Sequence, residues 1–166
     1  YYVANTPHLI KGASPASNDS IFHHISGMLA KQTVLAHIRK ATVGNVNILN
    51  SHPFQYGTWV FAHNGEINNF DLVKEELLHK IHPSLQRFIL GDTDSELFFY
   101  LFLSLLQKKT DIHVQNIEIV MIMNTIAECC QLIRDCADRK KCPAPSKLTH
   151  IITNGRIMLG CSFGKE

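Results

Sequence analysis

The chain has 166 residues, of which 45% are hydrophobic and 18% are charged, the balance of an ordinary globular domain. Sixteen Lys and Arg against fourteen Asp and Glu leave a net charge of +2, and no basic run interleaves with aromatic residues, so nucleic acid is not an expected partner. The longest apolar stretch, 97–106, is far shorter than the roughly 20 residues of a membrane-spanning helix, so it predicts a buried core helix and no membrane partner.

The first third of the chain contains one candidate strand. Val34 to Ile38 is short, apolar and partly β-branched, which predicts a buried strand, and the polar loop 39–44 follows it. The sequence opens on Tyr1-Tyr2 without an initiator methionine or the features of a signal peptide. We therefore expect the chain to begin inside a longer protein.

The next strand, 58–62, runs towards Asn64-Gly65, and this dipeptide has two interpretations. Asn-Gly between apolar runs is a hairpin turn signal, because both residues tolerate positive φ. The same pair can also aim a side-chain amide and a backbone N–H at one point, which is the donor pair of an oxyanion hole. Local chemistry alone favours the turn.

Two helices follow, and each begins with a recognisable signal. The pattern of 69–78 predicts an amphipathic helix with Asn69 as its N-cap. Thr93 and Glu96 have the spacing of a capping box at the start of the apolar helix. The capping box accounts for Thr93 and Glu96 without any function, but it does not account for Asp94.

The last third predicts a long helix over 114–137 and then a hairpin. Asn154-Gly155 separates the two apolar runs 148–153 and 156–161, and here the dipeptide has no companion motif, so we interpret it as a turn. Strands, two helices and a hairpin in this order predict an α+β domain with helices stacked on antiparallel sheets.

The cysteines indicate free thiols in a reducing compartment. They are odd in number and lack a Cys-x-x-Cys pair; they are Cys129, Cys130, Cys136, Cys142 and Cys161. Cys129 and Cys130 fall in an apolar helical pattern, where a thiol is usually a small buried hydrophobe. His79 and His82 have helical spacing but no acidic general base, which favours a solvated face over a metal site.

Four motifs in order carry a resemblance to a known family. They are Ala36 to Thr42, Asn50 to Phe54, Ala62 to Ile67 and Gly91 to Glu96. Together they resemble the class II glutamine amidotransferases, which are N-terminal-nucleophile hydrolases, and within them the stand-alone branch. The resemblance implies a four-layer α/β/β/α sandwich, a single domain over 1–166, a cytoplasmic enzyme and no cofactor.

The resemblance also implies a role for each matching residue. Arg39 corresponds to the arginine that binds the substrate α-carboxylate, a task suited to a planar fork of donors. Asp94 corresponds to the acid that pairs with the substrate α-ammonium group. Asn64 and Gly65 correspond to the oxyanion hole, through the side-chain amide and the backbone N–H respectively.

Thr42 and His52 fall in motifs that line the pocket of the family, so they are candidate substrate-binding residues. Structural alternatives remain open: Arg39 as a surface arginine at a strand end, Asp94 as an acid favoured by the helix dipole, and His52 as a hydrogen-bonded turn residue before Pro53.

One feature departs from the family pattern. Family members use an N-terminal cysteine whose own α-amino group is the base, and Tyr1 cannot serve as that nucleophile. The resemblance therefore implies an upstream cysteine that hydrolyses a glutamine or γ-glutamyl amide, with a separate ammonia acceptor or a peptidase as a partner. The alternative is a non-catalytic module that binds an amino acid or docks to a partner.

Overall fold

The structure, a computed structural model, describes residues 1–29, 33–39, 44–139 and 145–162. The elements in chain order are β1 (Tyr2–Val3), β2 (Thr6–Pro7), α1 (Ser20–Met28), β3 (Phe54–Tyr56), β4 (Trp59–Glu66), α2 (Phe70–Leu78), α3 (Pro83–Gln86), α4 (Asp94–Gln107), α5 (Ile119–Arg139), β5 (Lys147–Thr153) and β6 (Met158–Cys161). Helices and antiparallel strands thus share one chain, as the sequence predicts.

A four-stranded antiparallel sheet has the order β3-β4-β5-β6. Strand β4 is its longest member, and it pairs with β5 from Val60 opposite Thr153 to Glu66 opposite Lys147. The predicted hairpin is confirmed: β5 and β6 flank Asn154-Gly155, and Gly155 has a φ of 88°. The Asn154 side-chain oxygen accepts the backbone N–H groups that follow the turn, which stabilises it.

The hydrophobic core lies between this sheet and a layer of helices α2, α4 and α5. Phe61 on β4 packs its ring against Phe98 and Phe99 of α4, with centroids 5.2 and 5.4 Å away. Trp59 donates its indole N–H to the Ile112 carbonyl at 2.9 Å, which ties β4 to the loop after α4. Helix α4 is buried almost throughout, as the apolar run in its sequence predicts.

The opposite face of the sheet carries a thinner second layer. Side chains alternate along β4, so Val60 points away from Phe61 and the core, into a cavity of about 940 Å³. The segment 33–38, helix α1, the β1–β2 ribbon with its flanking residues and the β5–β6 hairpin contribute other walls of this cavity. Helices therefore lie on both sides of an antiparallel sheet, in agreement with the predicted α+β fold class.

The prediction of a buried strand at Val34 to Ile38 is wrong. The segment is extended but forms no ladder with any described strand, and Val34 and Ile38 are 48% and 85% exposed. A strand requires a neighbour for its backbone hydrogen bonds, and an apolar run alone does not supply one.

Within the described residues, no helix combines the length and the hydropathy that crossing a bilayer would require.

Candidate functional site

Asn64 and Gly65 lie inside strand β4, so the turn interpretation of this dipeptide is wrong. They pair with Thr149 and Leu148 of β5, and the ladder continues to Glu66. The Asn64 side chain is exposed and lies on the face of β4 that Val60 also occupies. Among the described residues its amide has no hydrogen-bond partner, so it is available to a ligand at the open end of the strand.

Gly65 has a structural reason to be glycine. A Cβ at this position would overlap the Lys147 carbonyl of β5 and come within 2.6 Å of the His63 ring. The close approach of two backbones therefore excludes any side chain here. This close approach also fixes the position of the Gly65 backbone beside Asn64.

Asp94, the first residue of α4, is held by backbone donors from two elements. One carboxylate oxygen accepts the Ile67 N–H at 2.7 Å and the other accepts the Ser95 N–H at 2.8 Å. Burial raises the pKa of Asp94, and these hydrogen bonds and the charge of Arg39 oppose that rise. Ile67 lies two residues after Gly65, so the bond ties the carboxylate to the segment that directly follows β4.

His63 of β4 forms hydrogen bonds to β5 and to α4 from inside the core. Its Nε2 lies 3.0 Å from the Lys147 carbonyl and its Nδ1 lies 2.9 Å from the Ser95 hydroxyl. A carbonyl can only accept, so Nε2 carries the proton. Burial lowers the pKa of His63 to about 4, so the ring is neutral and its Nδ1 accepts from Ser95. The Ser95 hydroxyl then has no proton left for Asp94, whose oxygen is 3.3 Å away.

Arg39 is positioned by the loop that follows it. Its two terminal nitrogens donate to the Asn45 carbonyl at 3.2 Å and the Gly44 carbonyl at 3.4 Å. The Arg39 charge acts on the pKa values of Asp94, His37 and His52. Arg39, predicted to bind the substrate carboxylate, and Asp94, predicted to bind the substrate ammonium group, therefore interact electrostatically.

His52 is buried at the same place, with 8% of its surface exposed. Its ring centroid lies 4.1 Å from that of His37, with the two rings tilted by 36°, and the ring meets Phe54 edge-on at 4.8 Å. Burial, with the nearby charge of Arg39, lowers the pKa of His52 to about 2, so the ring is neutral. Neither ring nitrogen has a partner among the described residues, which contradicts the alternative of a hydrogen-bonded turn residue.

Thr42, a predicted substrate-binding residue, lies outside the described residues. The described cysteines belong to α5 and β6, and Cys129 and Cys130 are fully buried, as predicted. Burial raises the pKa of Cys130 to about 12, which suppresses its thiolate. His79 and His82 are exposed, in agreement with a solvated face.

Three residues of the site have no role in the sequence-based prediction. His63, Ser95 and Asn50 are buried and join the elements that carry the predicted substrate contacts. Both His63 and Asn50 belong to motifs on which the family resemblance rests. His63 directly precedes Asn64, and Asn50 lies two residues before His52. Buried polar residues next to functional ones are the signal that could have identified them.

Comparison with solved structures identifies a protein with the same fold. The glutamine aminotransferase class-II domain protein from Silicibacter pomeroyi superimposes with a TM-score of 0.74 over 100% of this chain and 65% of that protein. The sequences are 19% identical, so this similarity concerns the fold alone.

The chain belongs to the family of class-II glutamine amidotransferases, whose model matches residues 1–139. It is 40% identical over 102 residues to the Saccharomyces cerevisiae protein named "Probable glutamine amidotransferase DUG3", covering 61% of this chain and 29% of that protein. It is 35% identical over 63 residues to the γ-glutamyl-hercynylcysteine sulfoxide hydrolase of Mycobacterium tuberculosis, covering 37% of this chain and 27% of that enzyme. The chain thus spans less than a third of these relatives.

Proposed function

We propose that the intact protein hydrolyses the side-chain amide of glutamine, or a γ-glutamyl amide, within a single domain that includes residues 1–166. The observation that supports this proposal is that the Asp94 carboxylate accepts the N–H of Ile67, two residues after Gly65, and that the charge of Arg39 acts to lower the pKa of Asp94. The name of the Mycobacterium tuberculosis relative, a γ-glutamyl hydrolase, is consistent with this substrate class.

The substrate's α-amino-acid group would be held at one end of the site. Arg39 binds the α-carboxylate with its planar fork, and Asp94 accepts the α-ammonium group. A buried carboxylate on backbone N–H donors is suited to this task, because ionised Asp94 still has lone pairs to offer. His52 would contribute a neutral imidazole ring to the wall, with two ring nitrogens that have no partner among the described residues.

The reaction would proceed through a thioester on a cysteine outside this sequence. The thiolate adds to the amide carbonyl, and the oxyanion that forms is stabilised by the Asn64 amide and the Gly65 N–H. The C–N bond then breaks, and the proton that the thiol gave up passes to the departing nitrogen, which leaves as ammonia, or as an amine from a substituted γ-glutamyl amide. Water cleaves the thioester and restores the thiol, so that one glutamine amide and one water give one carboxylate and one ammonium ion.

Partner and location are part of the same proposal. Ammonia would pass to water or to an acceptor on a separate protein, and a peptidase is a second candidate partner. The cytoplasm suits the protein, because no disulfide joins the cysteines that the structure describes.

Steady-state ammonia release by the full-length protein tests the roles. Asn64→Ala should lower kcat by about 10²–10³, the usual effect of one oxyanion donor. Asn64→Asp keeps the shape but adds negative charge, so it should lower kcat at least as much. Asp94→Asn should raise KM, whereas Asp71→Asn, the same change in the first turn of α2, should not.

Unchanged kinetics in the Asn64 and Asp94 variants would refute the role assignment. If calorimetry shows that wild-type protein binds glutamine but the protein releases no ammonia, the non-catalytic binding module becomes the correct function.

A further inference from the structure

Asn50 is fully buried and forms hydrogen bonds in two directions. Its side-chain nitrogen donates to the Asn45 carbonyl at 2.9 Å and to the Asp92 carboxylate. Its side-chain oxygen accepts the Asp92 backbone N–H at 3.0 Å. One side chain therefore joins the loop that follows Arg39 to the segment that leads into α4.

The two ends of this bridge, Asn45 and Asp92, lie next to Arg39 and Asp94, the two residues predicted to bind the substrate. The Asn45 carbonyl that accepts from Asn50 also accepts from the Arg39 guanidinium. Asp92, at the other end, stands two residues before Asp94. A continuous path of hydrogen bonds and short backbone therefore connects Arg39 to Asp94.

We infer that Asn50 is a positioning residue that sets the separation of Arg39 and Asp94 and so selects substrates with both an α-carboxylate and an α-ammonium group. This inference rests on the proposed function. The carboxylate and the ammonium group of one substrate can be bound together only when the residues that bind them are held at a fixed distance. Asn50 acts through Arg39 and Asp94 and does not contact the substrate.

The surroundings of the bridge show how closely it is packed. A Cβ on Gly91 would overlap the Asn50 side-chain oxygen, and a Cβ on Gly44 would overlap the Asp92 carboxylate. Asn50 N–H donates to the Asn47 side chain at 2.9 Å, which orients the start of the turn. A shorter side chain at position 50 would leave the Asp92 N–H and the Asn45 carbonyl without this partner.

The test compares three anilide substrates on the full-length protein. L-γ-glutamyl-p-nitroanilide carries both the α-carboxylate and the α-ammonium group. Glutaryl-p-nitroanilide lacks the ammonium group, and 4-aminobutyryl-p-nitroanilide lacks the carboxylate. Wild-type protein should prefer the first in kcat/KM. Asn50→Ala should raise KM for L-γ-glutamyl-p-nitroanilide about tenfold, since it removes several buried hydrogen bonds. It should change KM for the other two anilides much less.

Gln86→Ala is the matched control. Gln86 also donates two side-chain hydrogen bonds to backbone carbonyls, but those carbonyls belong to α2 and the turn after it. If Asn50 had only a general structural role, both variants would leave the preference for L-γ-glutamyl-p-nitroanilide unchanged. A loss of preference in Asn50→Ala alone supports the positioning role.

Asp92 supplies a second series in case Asn50→Ala does not fold. Asp92→Asn retains an oxygen that can accept from Asn50 and should behave like wild type, whereas Asp92→Ala removes that acceptor and should weaken the preference. If both keep the wild-type preference, or if Asn50→Ala keeps it, the inference is overturned. If wild-type protein hydrolyses none of the anilides and no glutamine, the proposed function has failed instead.

Discussion

Replacing His63 by phenylalanine tests whether its two hydrogen bonds hold β4, β5 and α4 together. A phenyl ring can keep the ring contacts with Phe61 and Phe98, at 6.3 and 5.4 Å, so the change removes mainly the polar interactions. The variant loses the bond to the Lys147 carbonyl and the bond to the Ser95 hydroxyl.

The structure sets the size of the loss. Two hydrogen bonds contribute about 1 kcal/mol each, and the part-buried Lys147 carbonyl that loses its partner adds a penalty of up to about 1 kcal/mol. The Ser95 hydroxyl recovers part of this, because it can turn to Asp94 at 3.3 Å. We therefore expect the free energy of unfolding to fall by about 2 kcal/mol.

The same rotation has a consequence for substrate binding. When Ser95 donates to Asp94, the carboxylate is better stabilised and competes less well for the substrate ammonium group. KM for glutamine should therefore rise about fivefold, corresponding to about 1 kcal/mol, while kcat changes less.

Urea unfolding followed by circular dichroism, together with ammonia-release kinetics, measures both effects. His150→Phe is the control, because His150 is equally buried and contacts Phe61 and Phe98 but bonds only the Leu148 carbonyl. It should cost less stability and leave KM unchanged. Loss of under 0.5 kcal/mol in His63→Phe, or an equal KM effect in His150→Phe, would refute the reasoning, since about 0.5 kcal/mol is typical of surface changes.

Three further predictions concern single residues. Gly65→Ala should lower the unfolding free energy by about 1–3 kcal/mol because its methyl group would overlap the Lys147 carbonyl, whereas Gly160→Ala on β6, with open space around its Cβ, should be tolerated; equal urea midpoints would contradict this. The pKa of His52 falls from 6.5 to about 2 on folding, so the unfolded chain binds the extra proton, and this part of stability is complete above pH 6.5 and is lost as pH decreases below it. His52→Phe should therefore reduce the difference between urea midpoints at pH 7.5 and pH 5, and an unchanged difference would argue against a neutral buried ring. Cys130 should resist iodoacetamide at neutral pH in the native state because burial raises its pKa to about 12; rapid alkylation, detected by peptide mapping, would show that the thiol is accessible.

The two Asn-Gly dipeptides show what local sequence can and cannot predict. Asn154-Gly155 is a turn, as the pattern indicates, because adjacent strands close upon it. Asn64-Gly65 has the same chemistry but lies within a strand, because β5, more than eighty residues further along the chain, pairs with it residue by residue. A partner that is distant in sequence decides between the two outcomes, and no short pattern contains it.

Helices were more predictable than their ends. The buried α4 follows directly from its apolar run, and the Thr93 hydroxyl caps it by accepting the Glu96 N–H at 3.2 Å. The other half of the capping box does not form, because the Glu96 carboxylate accepts the Leu90 and Gly91 N–H groups instead. Asn69 occupies the N-cap position of α2 in a left-handed conformation, without a side-chain cap.

The candidate site divides in the same way. Residue types and their order identified Arg39, Asn64, Gly65 and Asp94, because the family resemblance depends on those motifs. The residues that connect them, such as Asn50 and His63, emerged only from the structure. Several of their partners are backbone atoms, such as the Lys147 carbonyl and the Asp92 N–H, which lie far away along the chain, and backbone atoms leave no signal in sequence.

The measurement that tests the central claim most directly is peptide mapping of the full-length protein after treatment with an electrophilic glutamine analogue. We predict one adduct, on an N-terminal cysteine outside the sequence described here, prevented by excess glutamine and reduced in Asp94→Asn. Cys129, Cys130, Cys136 and Cys161 should remain unmodified. An adduct on one of these four residues, or no adduct on any cysteine, would contradict the account of this chain as the substrate-binding part of a glutamine amide hydrolase.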